Sequence, residues 1–102
     1  MIKVYIKNNK IDIVGHANYA DYGKDIVCAS VSAIVTTSVN MALRLNNKSL
    51  EYKGNNNKFT INILNSDDVT KEIINNMLSL LEDLAKTYEK NVKIIKEEEL
   101  WN

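Results

Sequence analysis

Residues 11–33, IDIVGHANYADYGKDIVCASVSA, change period part-way along. Ile11, Ile13, Gly15 and Ala17 alternate with Asp12, Val14 and His16, the two-residue period of a strand with one buried face. From Asp25 onward the apolar residues recur at helical spacing, through Val27, Val31, Ile34, Met41 and Leu45, with Ala29, Val35, Val39 and Ala42 widening the face. Between them, Asn18 to Lys24 fit neither period and read as a polar, aromatic loop with a hinge at Gly23. A strand, a loop and a long helix therefore follow one another within this stretch. So much apolar surface predicts a central helix covered on more than one side, and the small residues Ala29, Ser30, Ser32, Ala33, Thr36, Thr37 and Ser38 predict its close packing against a sheet or a partner.

Upstream, Ile2, Val4 and Ile6 alternate with Lys3, Tyr5 and Lys7. Asn8-Asn9-Lys10 supplies a turn, so residues 2–7 and 11–17 form a hairpin. Downstream, Leu50 and Tyr52 alternate with Glu51 and Lys53. Gly54 to Asn57 turn the chain, and Phe59, Ile61 and Ile63 alternate with Lys58, Thr60 and Asn62. Asn65 or Ser66 caps a second helix with Asp67 and Asp68 in its first turn. Its apolar stripe runs through Val69, Ile73, Met77, Leu80, Leu81, Leu84 and Tyr88. A last strand, Val92 to Lys96, precedes an acidic tail with Trp101. The order is ββαββαβ. The expected fold is an α+β layered one, an antiparallel or mixed sheet packed with two helices, with residues 1–102 as a single domain.

Composition narrows the function. Thirteen basic and thirteen acidic residues give zero formal net charge, and only one of the basic residues is Arg. A strong phosphate-binding footprint is therefore not expected, and no direct nucleic-acid partner. Lys3, Lys7, Lys53 and Lys58 form at most a weak basic strip, and lysine on a solvated strand is common. No apolar run reads as the roughly 20 residues of a membrane span, and no secretory signal is visible. A cytoplasmic location is expected. One Cys excludes an internal disulfide and a multi-Cys metal site. Neither metal nor cofactor is expected.

The reactive groups are few. His16 ends the second strand, and Cys28 follows after eleven intervening residues. Taken singly, a lone Cys in an apolar helix is usually a small buried hydrophobe, and a lone His is usually structural. Taken together they carry chemistry. A helix starting at Asp25 places Cys28 in its first turn, where unpaired N–H groups and the helix dipole favour a thiolate. A nearby imidazole completes the activation of a thiol nucleophile, and the first-turn N–H groups can receive an oxyanion. Asp25, Cys28 and Ser32 share one helix face. Asp25 has two readings, a helix cap or a group orienting His16. Ser32 either donates to the thiolate or substrate, or bonds back to the preceding turn. Tyr19 and Tyr22 either line a substrate groove or pack the loop onto the body.

Gly15-His16-Ala17, Ala20, Gly23, Asp25-Ile26-Val27-Cys28-Ala29 and Val31-Ser32-Ala33 resemble the signature of the ribosomal-processing cysteine protease family, Prp. The resemblance rests on residues 15–33; the length and element order agree along the rest. It implies an endopeptidase with Cys28 as nucleophile and His16 as base, and with Asp25 and Ser32 at accompanying polar positions. It further implies a peptide substrate, the precursor of large-subunit ribosomal protein twenty-seven. That substrate is cut after a pair of aromatic residues to remove a short N-terminal extension. The family's members are homodimers with a mobile loop between the two catalytic residues. Two other readings remain open on the residues alone. One is a non-catalytic module docking on ribosomal RNA or protein, for which Cys28 is dispensable. The other is a different thiol chemistry, acyl transfer or redox sensing.

Overall fold

The computed structural model describes residues 1–15, 22–55 and 57–101, with residues 22–25 described in their backbone alone. The elements are β1 (Ile2–Lys7), β2 (Lys10–Val14), α1 (Tyr22–Leu45), β3 (Leu50–Gly54), β4 (Lys58–Ile63), α2 (Asp68–Thr87) and β5 (Val92–Lys96). They follow the expected order. One sheet carries the strands as β3-β4-β2-β1-β5. β5 lies parallel to β1 and the other pairings are antiparallel, so the sheet is mixed.

Two-residue periodicity decides which face meets the helices. Ile2, Val4 and Ile6 of β1, Ile11 and Ile13 of β2, Ile61 and Ile63 of β4, Leu50 of β3 and Val92 of β5 are all buried in one core. The register places Val4 beside Ile13 and Ile6 beside Ile11, so the apolar faces coincide. α1 adds Val27, Val31, Val35, Val39 and Ala42, and α2 adds Ile74, Met77, Leu78 and Leu81. Removing an isoleucine such as Ile13 or Ile61 to Ala costs about 2–5 kcal/mol by lost transfer and cavity formation.

Turn chemistry follows the asparagines. Asn9 has φ 55°, a left-handed conformation that Asn tolerates. The Asn55 side chain accepts from the N–H groups of Asn57 (2.9 Å) and Lys58 (3.0 Å), replacing lost backbone partners. The second strand stops at Val14 rather than residue 17, because Gly15 turns away at φ 85°.

Other boundaries and faces also differ from expectation. α1 starts at Tyr22, so Tyr22, Gly23 and Lys24 belong to the helix instead of the loop. The cap of α2 is Asp67, whose side chain accepts from the Thr70 N–H at 2.8 Å. The buried stripe of α2 passes through Thr70, Ile74, Met77, Leu78 and Leu81, leaving Val69 and Leu80 exposed. It is rotated from the expected stripe, and Leu100 of the tail is also buried in the core. Trp101 lies against α2, its indole N–H donating to Asn75 Oδ1 at 2.8 Å.

Among the described residues of this one chain, α1 is covered on one side. Its valine stripe faces the core, while Ile26, Met41 and Leu45 are exposed, as are the small residues Ala29, Ala33 and Thr36. By length and composition Ile26–Leu45 is apolar enough to cross a membrane, with mean hydropathy 1.8. The Ser and Thr residues that interrupt the run to the eye carry no charge and scarcely lower that mean. Here its valines are built into the core of the domain.

Candidate active site

Two described elements frame the expected site. Gly15 ends β2, and its N–H donates to the Asn57 carbonyl at 2.9 Å. Its φ of 85° is a region that Gly enters without penalty. The Met1 carbonyl oxygen lies 2.6 Å from where a Cβ would stand. Only glycine fits here, and the chain leaves the sheet in a fixed direction immediately before His16. His16 and Tyr19 lie outside the described residues, as do the side chains of Tyr22 and Asp25. Their expected roles therefore have no geometry here.

Cys28 is half-buried on α1 and packs against the core. It sits beside the valine stripe, next to Val27 and Val31, on the flank it shares with Ser32 one turn on and Thr36 two turns on. The hydroxyls of Ser30 and Ser38 donate to the carbonyls one turn back, at 2.9 and 2.8 Å. Among the described residues Ser32 makes no such bond. Its hydroxyl stays on the Cys28 flank without a backbone partner in the preceding turn.

The earlier start of α1 changes the electrostatics. Cys28 is in the second turn, beyond the expected first, and Asp25 is a helical residue instead of a cap. The first-turn N–H groups, which have no intrahelical acceptor, belong to residues 22–25. The Cα–Cβ bond of a helical residue tilts toward the N-terminus, so the Cys28 side chain leans toward that turn. The dipole decays within the first turn. It therefore favours a Cys28 thiolate less than a first-turn position would, and leaves more of that task to an imidazole.

The sequence reading missed the aromatic residues along this flank. Partial burial raises the pKa of Tyr52 on β3 above its ordinary 10.0, and the nearby Thr36 side chain opposes that rise. Phe59 of β4 is tilted against Tyr52, with ring centroids 5.6 Å apart. Gly54 leaves room for the pair: a Cβ there would come within 2.9 Å of the Phe59 ring. Alternation assigned both rings to the inner face, but nothing in the sequence set them beside the Cys28 flank. A shallow groove between α1 and α2, lined by Thr37, Ser38, Met41, Glu72, Ile73 and Asn76, opens on a different flank. Among the described residues, no group of three His, Cys, Asp or Glu side chains could hold a metal ion.

A family model described as cysteine protease Prp matches residues 1–93. The chain belongs to this family. A ribosomal processing cysteine protease Prp from Staphylococcus aureus is 32% identical over 83 residues, covering 78% of each chain. One from Bacillus subtilis is 47% identical over 34 residues, a third of this chain. Among solved structures, SMU.848 from Streptococcus mutans superposes with a TM-score of 0.89 at 22% identity, over 97% of this chain and 96% of its own. The S. aureus Prp in complex with a substrate peptide superposes at 0.83 with 23% identity, over 94% and 97%. At these identities the structures establish the shared fold. Family membership makes the protein a cysteine protease, and Cys28 is the sole thiol in the chain.

Proposed function

We propose that this protease removes the short N-terminal extension from the precursor of large-subunit ribosomal protein twenty-seven. Cys28 is its nucleophile and His16 its base. The observation that carries this reading is membership of the Prp family in a chain with one Cys and one His. The solved S. aureus relatives, one with a substrate peptide and one with a covalently linked product peptide, support a peptide substrate and a covalent step.

In this reading His16 takes the Cys28 proton, and the thiolate attacks the scissile carbonyl. The oxyanion is received by the N–H groups of the first turn of α1, toward which the Cys28 side chain leans. His16 then protonates the leaving amine, and water hydrolyses the acyl-enzyme. Asp25 orients the imidazole, Ser32 donates from its place one turn beyond Cys28, and Gly15 and Gly23 flank the intervening segment. Tyr19 and Tyr22 line the peptide groove. The enzyme works in the cytoplasm as a homodimer, for which the exposed small and apolar face of α1 offers a surface.

The test is cleavage of a synthetic peptide that spans the junction between the extension and the mature ribosomal protein. Cys28→Ala and His16→Ala should each remain folded by circular dichroism and cut nothing. Undiminished cleavage by Cys28→Ala sinks the assignment.

A further inference from the structure

The face of the sheet turned away from the helices carries Lys3 and Lys7 of β1, Lys10 of β2, Lys53 of β3, Lys58 of β4 and Lys93 of β5. Asp12 and Glu51 share that face and Glu97 reaches it to pair with Lys7, while Glu51 lies 3.7 Å from Lys53. The whole chain is neutral, so its charge is segregated. α2 carries Asp68, Glu72, Glu82 and Asp83 against Lys71 and Lys86, and Glu97, Glu98 and Glu99 follow β5.

The register adds a point that composition hides. Lys3 lies directly beside Lys93, and Lys7 directly opposite Lys10. Like charges facing one another across strands oppose pairing. Lys7 is relieved by Glu97 at 3.8 Å and Lys10 by Asp12 at 4.0 Å. Among the described residues, Lys3 and Lys93 have no such relief. Folding gains nothing from that adjacency, whereas a bound anion would.

The arrangement is also built. Asp12 is only 6% exposed although it is on the open face. It accepts from Thr60 Oγ1 at 2.8 Å, and Lys58 Nζ lies 3.9 Å away, so one sunken carboxylate holds Lys10 and Lys58 against the sheet. The half-buried Tyr5 stands beside Asp12 on one side and Ile95 on the other. Lys3 and Lys7, two residues before and after Tyr5, are each about 7 Å along the strand. Across the sheet, Lys58, Val14, Lys3 and Lys93 form one row, about 14 Å long at the usual strand spacing.

We propose that this open sheet face is a second interaction surface, which takes the phosphate backbone of single-stranded RNA. Rows of lysine on both sides of an aromatic ring are what a sequence-tolerant single-strand platform needs: point charges for phosphates and a π face for a base. Contacts of that kind make binding salt-sensitive and indifferent to sequence. An anionic membrane fits less well, because Val14 and Ile95, the apolar residues on this face, are half-buried and do not project for insertion.

Fluorescence anisotropy of a short labelled oligouridine, read across a potassium chloride series, tests this. The wild-type protein should bind with affinity falling steeply as salt rises. Lys3→Gln, Lys53→Gln and Lys93→Gln together should lower the salt slope by about 2, at about 0.7 per phosphate contact. At ~0.1 M salt that is about 100-fold weaker binding. Lys93→Gln alone, safe for folding at an exposed position, should remove about 0.7 of the slope. Tyr5→Leu should weaken binding further without changing the slope. Arg44→Gln, Lys86→Gln and Lys90→Gln, which remove equal charge elsewhere, should bind as wild type. Equal binding by the sheet and control variants overturns the proposal. So does capture of polyglutamate, or of vesicles of equal phosphatidylcholine and phosphatidylserine, by a protein that leaves oligouridine free.

Discussion

A Cβ built on Gly15 lies 2.6 Å from the carbonyl oxygen of Met1. No side chain tolerates that approach, and the backbone at Gly15 has a φ of 85° that disfavours every L-residue. Gly15→Ala should therefore cost about 2 kcal/mol or more in urea unfolding, from left-handed strain alone at the upper end of about 1–2 kcal/mol plus the displacement of Met1. Peptide cleavage should fall further than the loss of folded protein explains, since His16 is the next residue along the chain. A wild-type urea midpoint for this variant would show that Met1 does not approach Gly15 in solution.

Cys28 sits in the second turn of α1, where the helix dipole has largely decayed. The imidazole must then supply most of the thiolate stabilisation. Iodoacetamide should alkylate Cys28 at a pH below the ordinary thiol range, near 8.5. His16→Ala should move the midpoint back toward that value. A midpoint that His16→Ala leaves in place would remove His16 as the resting partner of Cys28.

Asp67 caps α2, and its carboxyl is held below its ordinary 3.8, chiefly by the Thr70 N–H, with the Thr70 and Asn46 side chains adding to it. A depressed folded-state pKa contributes stability above the unfolded value and loses it as pH falls through the folded value. Asp67→Asn keeps an acceptor for the cap but not the charge. It should melt below wild type at neutral pH, and the gap should close as pH drops below about 3.8. A gap that persists in acid would assign the difference to cap geometry.

Much of the fold was legible because every strand alternates and both helices carry a periodic face. Val27, Val31 and Val35 announce α1 as plainly as Ile11 and Ile13 announce β2. Its beginning was obscured because Tyr22-Gly23-Lys24 has the composition of a turn, and tertiary context overrides the weak helix propensity of one Gly. Sheet order is set by long-range pairing, which no local period encodes. Asp12 belonged to the outer face by alternation, but only the neighbouring strands bring Thr60 and Lys58 to bury it. In the candidate site, Cys28 and Ser32 lie where helical spacing put them. Tyr52 and Phe59 were hidden because they reach that flank from the second hairpin. Alternation already placed Lys3, Lys7, Lys53 and Lys58 in one strip, and the register adds Lys10 and Lys93.

The register that sets Ile2 beside Val92 joins the first strand to the last. A chain emerging from the ribosome makes β1 early and must wait for β5, so the outer edge of β1 stays open until nearly all of the domain has been synthesised. An open edge bearing Val4 and Ile6 invites pairing with a neighbouring nascent chain, and Lys3 and Lys7 on that edge discourage it. Closing the sheet is a late, long-range event with a high loop-closure cost. The Gly15 turn and the first stretch of α1 precede it, so the elements around Cys28 are synthesised before the sheet that supports them is whole.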